Sequence, residues 1–134
     1  MSQENVEIVR SILIAWESGD YDSADWADPD IDYVVADGPA PGNWKGLAGM
    51  AEGARANVET WEDLQFEPDE YREIDGERVL VLHNYLGRGK TSGADLGSMR
   101  AAGAQLFHVR DRRVIRLVHY WDRNHALSDL GLAE

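Results

Sequence analysis

Cysteine is absent from this 134-residue chain. Without it the protein can form no disulfide, no thiolate nucleophile and no thiolate metal site, and the absence is compatible with a reducing cytoplasm. Long apolar runs are missing too, since no segment approaches the roughly 20 residues that span a bilayer. The opening MSQENVEIVR lacks the basic and apolar parts of a signal peptide. These absences predict a cytoplasmic protein with no membrane partner.

Positive charge is scarce as well. The formal net charge is −12, and so acidic a surface repels phosphate backbones, which predicts no nucleic-acid partner. The charge is uneven, because residues 1–77 carry 20 acidic and 4 basic side chains whereas residues 78–134 carry 5 and 9. We interpret this asymmetry as an acidic helical layer over a more basic sheet, within a single domain of residues 1–134.

Helical spacing of apolar residues marks the first half of the chain. The residues that recur at this spacing in the first helix are Val6, Val9, Leu13 and Trp16. Gly19 is placed to end that helix, and a further helix is predicted over residues 47–61. Between them, residues 20–30 (DYDSADWADPD) predict a short helix or turn that Pro29 stops.

Alternation with a period of two marks the other elements. The predicted strands cover residues 30–37, 64–74, 78–87, 99–109 and 113–121, with a loop over residues 38–46. Pro68 predicts an edge or a bulge, and Asp75-Gly76 predicts a hairpin turn. A short tail helix begins after Asp122 and ends near Gly131. Helices gathered ahead of an antiparallel meander indicate the α+β class, with the helices on one face of a curved sheet.

Three segments carry a resemblance to a known family: VEIVRSILIAWESGDYDSADWADPDIDYVV, GNWKGLAGM and VIRLVHYWDRNHALSDLGL. They are similar to the SnoaL-like branch of the nuclear transport factor 2-like superfamily, over nearly the whole chain. The resemblance implies a cone, in which a strongly curved antiparallel sheet wraps the N-terminal helices and leaves an apolar pocket open at one end. It also implies a homodimer through the outer sheet face. The superfamily includes polyketide cyclases and ketosteroid isomerase, so the fold implies a pocket rather than one reaction.

Two aspartates are candidate proton acceptors. The stretch DYVVADGPAPGNWKG resembles the strand and loop of ketosteroid isomerase, in which an aspartate at the place of Asp37 shuttles the proton. The alternative for Asp37 is a turn in which it bonds its own backbone before Gly38. Asp122 resembles the Trp-Asp aspartate of SnoaL-like cyclases. It also stands directly before RNHAL, however, and we favour the interpretation that its carboxylate caps the tail helix.

Alternation in the last strand places Leu117, His119 and Trp121 on one face, which by similarity to ketosteroid isomerase lines the pocket. His119 is then a general base or a hydrogen-bond donor, or alternatively a half-buried histidine bonded to a neighbour. The isomerase's oxyanion hole is not matched, since its tyrosine and protonated aspartic acid correspond to Ile12 and Gln105. Only Gln105 can donate, so ketosteroid isomerase activity is not expected.

The remaining candidate site residues are mostly aromatic. Those expected to line the pocket, besides Leu117 and Trp121, are Trp16, Trp26, Trp44, Met50, Phe107 and either His83 with Tyr85 or Leu82 with Asn84. Aromatic residues at these spacings also predict an ordinary core. Tyr33 shares a face with Asp37 and is a candidate catalytic residue. His108 and Tyr120 fall on the outer phase, at the surface or a dimer interface, and His125 is expected at the surface.

The function predicted from these residues is catalysis on, or binding of, a small hydrophobic, carbonyl-bearing molecule. Asp37 would act as the base of a cofactor-free isomerase or cyclase, with a hydrolase or dehydratase less favoured, and His119, Gln105 or Tyr33 would stabilise the oxyanion. No metal and no cofactor are expected, because the four histidines lack metal-ligand spacing and no dinucleotide or P-loop motif is present. The alternative is a non-catalytic ligand-binding or accessory homodimer.

Overall fold

The computed structural model describes residues 2–17, 25–37, 41–58, 61–89 and 99–132. Its elements are α1 (Ser2–Glu17), β1 (Ala27–Val35), β2 (Gly42–Lys45), α2 (Gly46–Val58), β3 (Trp61–Glu73), β4 (Arg78–Gly89), β5 (Met99–Arg110), β6 (Arg113–Tyr120) and α3 (Arg123–Asp129). The strands form one sheet in the order β2-β1-β6-β5-β4-β3. These elements confirm the α+β class. None of these helices combines the length and the apolar character needed to cross a membrane.

The sheet is mixed. Strands β3, β4, β5 and β6 pair antiparallel in succession, as the alternation and the hairpin signals predict. Strand β1, however, runs parallel to β6, with Val35 opposite His119, so the sheet is antiparallel as expected except at this pair. Alternation reports which face a side chain occupies and carries no information on strand order. The parallel pair is therefore a product of the tertiary fold.

A hydrophobic core lies on each face of the sheet. We call the face that packs against α1 the inner face; its core includes Val9 and Leu13 of the helix with Phe107 and Leu117 of the strands. The outer face packs against α3, whose Ala126 is fully buried. Successive residues of β4 and β6 alternate between these two cores. The predicted division of the last strand between two faces is thus confirmed.

The segments around β1 differ from prediction. Strand β1 begins at Ala27 and contains Pro29, where a helix or turn is expected, and its register with β6 is irregular there. Such an irregularity accommodates a proline, which cannot donate to a strand ladder. Residues 42–45, expected in a loop, form the edge strand β2 against β1. Gly19 and residues 20–24 lie outside the described ranges.

The turn and edge signals of the second half are confirmed. Strand β3 lies at the edge of the sheet, and its register with β4 shifts next to Pro68. The Asp75 carboxylate accepts hydrogen bonds from the backbone N–H groups of Glu77 and Arg78 at 2.9 and 3.0 Å. These bonds close the hairpin turn between β3 and β4, in the way an aspartate commonly stabilises a turn.

Candidate functional site

Three buried polar side chains lie side by side on the inner face. His83 on β4, Gln105 on β5 and His119 on β6 belong to adjacent strands, and each is at most 4 % exposed. The Gln105 Nε2 lies 3.1 Å from the His119 Nδ1, and the rings of His83 and His119 stack with their centroids 5.8 Å apart. We call these three residues the imidazole cluster. It joins two predicted catalytic residues, His119 and Gln105, to His83, which is predicted as one of two alternatives for lining the pocket.

Burial decides the protonation of the two histidines. It lowers the pKa of His83 to about 4, with the nearby Arg123 charge acting in the same direction. Burial likewise lowers the pKa of His119 to about 3, assisted by His83. Both rings are therefore neutral at pH 7. Because the Gln105 amide nitrogen can only donate, the His119 Nδ1 accepts and the proton of that neutral ring is on Nε2.

Tyr85 and Trp121, which we call the aromatic wall, adjoin the imidazole cluster. The Tyr85 hydroxyl donates to the Trp121 carbonyl at 2.9 Å, and the Trp121 ring meets the rings of Tyr85 and His119 edge-on, with centroids 4.9 and 4.6 Å away. The absence of a side chain at Gly103 leaves space for the His83 ring. A Cβ at this position would lie 3.0 Å from that ring and 2.8 Å from the Tyr120 carbonyl oxygen. His83 and Tyr85 thus occupy the inner face, while Leu82 lies in the outer core.

Asp37 lies just beyond β1 and is tied to the far end of β6. Its Oδ1 accepts a hydrogen bond from the Trp121 backbone N–H at 2.6 Å, and its Oδ2 lies 2.7 Å from the His125 Nδ1. The side chain is 22 % exposed. The parallel pairing of β1 and β6 causes this, because the C-terminal ends of two parallel neighbouring strands lie side by side. Asp37 therefore borders the aromatic wall rather than lying within it.

His125 is the residue that the sequence reasoning missed. Its side chain is 38 % exposed, at the surface as expected, and its ring lies between Asp37 and Asp129, with the Nε2 3.4 Å from the Asp129 Oδ2. The ring also contacts Tyr120 edge-on at 5.2 Å. The hydrogen bond to Asp37, with support from Asp129, raises the pKa of His125. The i, i+4 spacing of His125 and Asp129 on one helix was the available signal.

Asp122 is the N-cap of α3. It has extended backbone angles, and its Oδ1 accepts a hydrogen bond from the Asn124 backbone N–H at 3.0 Å. The residue is exposed, in contrast to the buried imidazole cluster. The capping interpretation of Asp122 is therefore confirmed.

The other predicted lining residues lie in or against the inner core. Tyr33 is buried, which raises the pKa of its hydroxyl to about 12, and its ring lies 6.0 Å from that of Trp44. Phe107 and Leu117 are buried members of this core, and those packed against it are Trp26, Trp44 and Met50. The side chain of Trp16 lies outside the described part of the structure. A lining role for these residues stays a prediction.

A groove crosses the outer face beside α3. Its volume is about 410 Å³, and its apolar floor includes Val34, Leu106 and Val118. The polar residues that line it are Arg78, His108, Arg116, Tyr120 and Asp129. The sequence places His108 and Tyr120 on this outer phase, as observed. Among the described residues, no group of three or more histidine, aspartate or glutamate side chains could hold a metal ion.

Comparison with known proteins defines the class. The family model described as the SnoaL-like domain matches residues 9–117, and the chain therefore belongs to the SnoaL-like domain family. A comparison with curated proteins gave no match.

Solved structures with the same fold cover almost the whole chain. The structure of TerC co-crystallised with polyporic acid has a TM-score of 0.74 at 20 % identity and covers 95 % of this chain and 97 % of that one. A nuclear transport factor 2-like protein from Burkholderia xenovorans has a TM-score of 0.71 at 27 % identity, with 97 % of each chain covered. A protein assigned as a SnoaL-like polyketide cyclase from Jannaschia reaches 0.72 at 17 % identity, covering 99 % and 94 %. These likenesses confirm the nuclear transport factor 2-like fold.

Proposed function

We propose that this protein binds a small hydrophobic, carbonyl-bearing molecule on the inner face and that Asp37 removes a proton from it, as in a cofactor-free isomerase or cyclase. The position of Asp37 carries the proposal. Its carboxylate bonds the backbone of Trp121, whose ring packs on His119 and Tyr85. A carboxylate thus borders an apolar, uncharged wall with a few hydrogen-bonding groups, which is the usual make-up of a small-molecule site. Co-crystallisation of TerC with polyporic acid supports a small-molecule ligand.

The proposed reaction begins at a carbon next to the carbonyl. The C–H bond breaks, its proton goes to Asp37 and its electron pair moves towards the carbonyl, so negative charge develops on the oxygen. The Nε2–H of His119, the Gln105 amide and the Tyr33 hydroxyl are the proposed donors to that oxygen. In an isomerase Asp37 returns the proton to another carbon. In a cyclase the carbanion attacks a second carbonyl, a C–C bond forms as the C=O π bond breaks, and the resulting alkoxide takes the proton back from Asp37. The scheme uses neither metal nor cofactor.

Deuterium exchange tests the base without knowledge of the natural substrate. We expect the protein to accelerate exchange of the acidic C–H of 2-tetralone in D₂O, followed by proton NMR. Asp37→Asn should lower the catalysed rate by about 10²- to 10⁴-fold, the usual contribution of a general base. The matched control is Asp32→Asn, which alters a surface carboxylate within β1 that pairs with Lys45 at 3.2 Å.

Binding is measured separately by quenching of tryptophan fluorescence with the same ketone. We expect Asp37→Asn to keep the affinity of the wild type, because the aromatic wall is unchanged. Equal exchange rates for the Asp37→Asn variant and the wild type would overturn the assignment of the base. Quenching without any catalysed exchange would instead identify a passive binding protein.

The outer groove favours a second candidate, an accessory homodimer formed through the outer sheet face. Helix α3 covers only part of this face, and the floor of Val34, Leu106 and Val118 lies in the open groove. An apolar floor within a polar rim is the usual make-up of a protein interface. The two candidates are compatible, since catalysis is proposed on the inner face and association on the outer one.

A further inference from the structure

The contacts of the Asp37 carboxylate form a continuous chain from β6 to α3. One oxygen accepts from the Trp121 N–H at 2.6 Å, and the other lies 2.7 Å from the His125 Nδ1. The second ring nitrogen of His125 lies 3.4 Å from Asp129, whose carboxylate also accepts from the Tyr120 hydroxyl at 3.2 Å. Both oxygens of Asp37 are thus held, each by a donor from a different element.

The surroundings of His125 favour a positively charged ring. An ionised carboxylate only accepts hydrogen bonds, so the Nδ1 carries the proton shared with Asp37, and a second proton on Nε2 would face Asp129 at 3.4 Å. The charged and titratable groups around the ring are Asp37 beyond β1, Asp122 at the start of α3, Asp129 within α3 and Tyr120 on β6. The three carboxylates all favour the imidazolium.

We propose that His125 is a positioning residue: its imidazolium, anchored by Asp129, holds the Asp37 carboxylate in the orientation required of the base. The inference rests on the proposed function for its catalytic meaning. Each carboxylate oxygen has two acceptor sites, and Trp121 and His125 occupy one on each. The carboxylate is thereby fixed in rotation, while acceptor sites remain for a substrate proton. Correct orientation of a catalytic group is a large part of its effect.

Two amide variants separate positioning from mere helix support. The amide nitrogen of asparagine occupies the place of the histidine Nδ1, which faces Asp37, whereas that of glutamine occupies the place of Nε2, which faces Asp129. We expect His125→Asn to keep 2-tetralone exchange within about threefold of the wild type, and His125→Gln to lower it about tenfold or more, the usual effect of losing a hydrogen bond to a charged group. We expect His125→Gln to lower kcat for this exchange and to leave KM unchanged.

Asn124→Gln is the control, because it alters the exposed neighbouring residue of the same helix. Equal exchange rates for His125→Asn and His125→Gln would overturn the positioning role, since a structural role in α3 does not distinguish the two amides.

A second measurement does not depend on catalytic activity. Nitrogen-15 NMR of labelled histidine should show both ring nitrogens of His125 protonated at pH 7, and Asp37→Asn should lower the pKa of His125, since the bond to Asp37 is the main cause of its rise. A neutral His125 ring at pH 7 would overturn the proposal. A wild-type protein that exchanges no deuterium would overturn the proposed function, while the ring titration still decides whether His125 holds Asp37. The two failures are therefore distinguishable.

Discussion

At the scale of single residues, the two buried histidines make the fold sensitive to acid. His83 and His119 have pKa values of about 4 and about 3 in the folded state, against about 6.5 in the unfolded chain. The unfolded state therefore binds more protons below pH 6.5. The stabilisation from the neutral rings is complete above that pH and is lost as the pH falls towards 4 and 3. His125, whose pKa is raised, stabilises in the opposite direction, at low pH.

We therefore expect the free energy of unfolding to fall between pH 6.5 and 5, where carboxylates have scarcely begun to titrate. The slope from each buried histidine rises from about 0.7 kcal/mol per pH unit at pH 6.5 to about 1.4 near pH 5, as the unfolded chain becomes fully protonated. His119→Asn, which keeps an acceptor near the position of Nδ1, should remove about half of the slope. Urea unfolding at several pH values measures it. A stability independent of pH over this range would contradict the assignment of neutral buried rings.

At the scale of elements, α3 depends on its cap. The helix has only seven residues, too few to be stable alone, so it relies on the Asp122 cap and on the packing of Ala126 into the outer core. We expect Asp122→Ala to lower the free energy of unfolding by about 1 kcal/mol, the usual cost of losing an N-cap. Asp122→Asn keeps an acceptor oxygen and should retain most of the stability.

The urea midpoints of the two variants measure how much stability each one loses. Equal losses for Asp122→Ala and Asp122→Asn would point to the charge of Asp122, rather than its hydrogen bond to the Asn124 N–H, as the stabilising feature.

At the scale of the whole molecule, charge distribution governs the proposed association. Arg116 is exposed and lines the outer groove, on a chain whose net charge is −12. If two copies meet through this face, Arg116→Glu places an extra negative charge within an acidic dimer. We expect it to weaken the dimer about tenfold, which corresponds to about 1.4 kcal/mol, as measured by sedimentation equilibrium.

Arg55→Glu makes the same charge change on the exposed part of α2, away from the groove residues. It should leave the dimer constant unchanged. A monomeric wild type at high concentration, or equal effects of the two variants, would contradict association through the outer face.

The sequence by itself determined most elements and the face that each strand residue occupies. Alternation separated His119 and Trp121 from Val118 and Tyr120, the residues after Asp122 indicated a capped helix, and Pro68 marked an edge strand. These features are local, because a period of two and a cap depend on residues only a few positions apart.

Only the tertiary structure decided how distant segments meet. The parallel pairing of β1 with β6 places Asp37 beside Trp121 and His125, more than 80 positions along the chain, and the adjacency of β4, β5 and β6 assembles His83, Gln105 and His119. The order of the strands and the burial of His83 and His119 on the inner face follow from the packing of the whole sheet. No short stretch of sequence specifies either. For that reason the sequence pattern places His125 at the surface, as observed, and only the tertiary structure brings it next to Asp37.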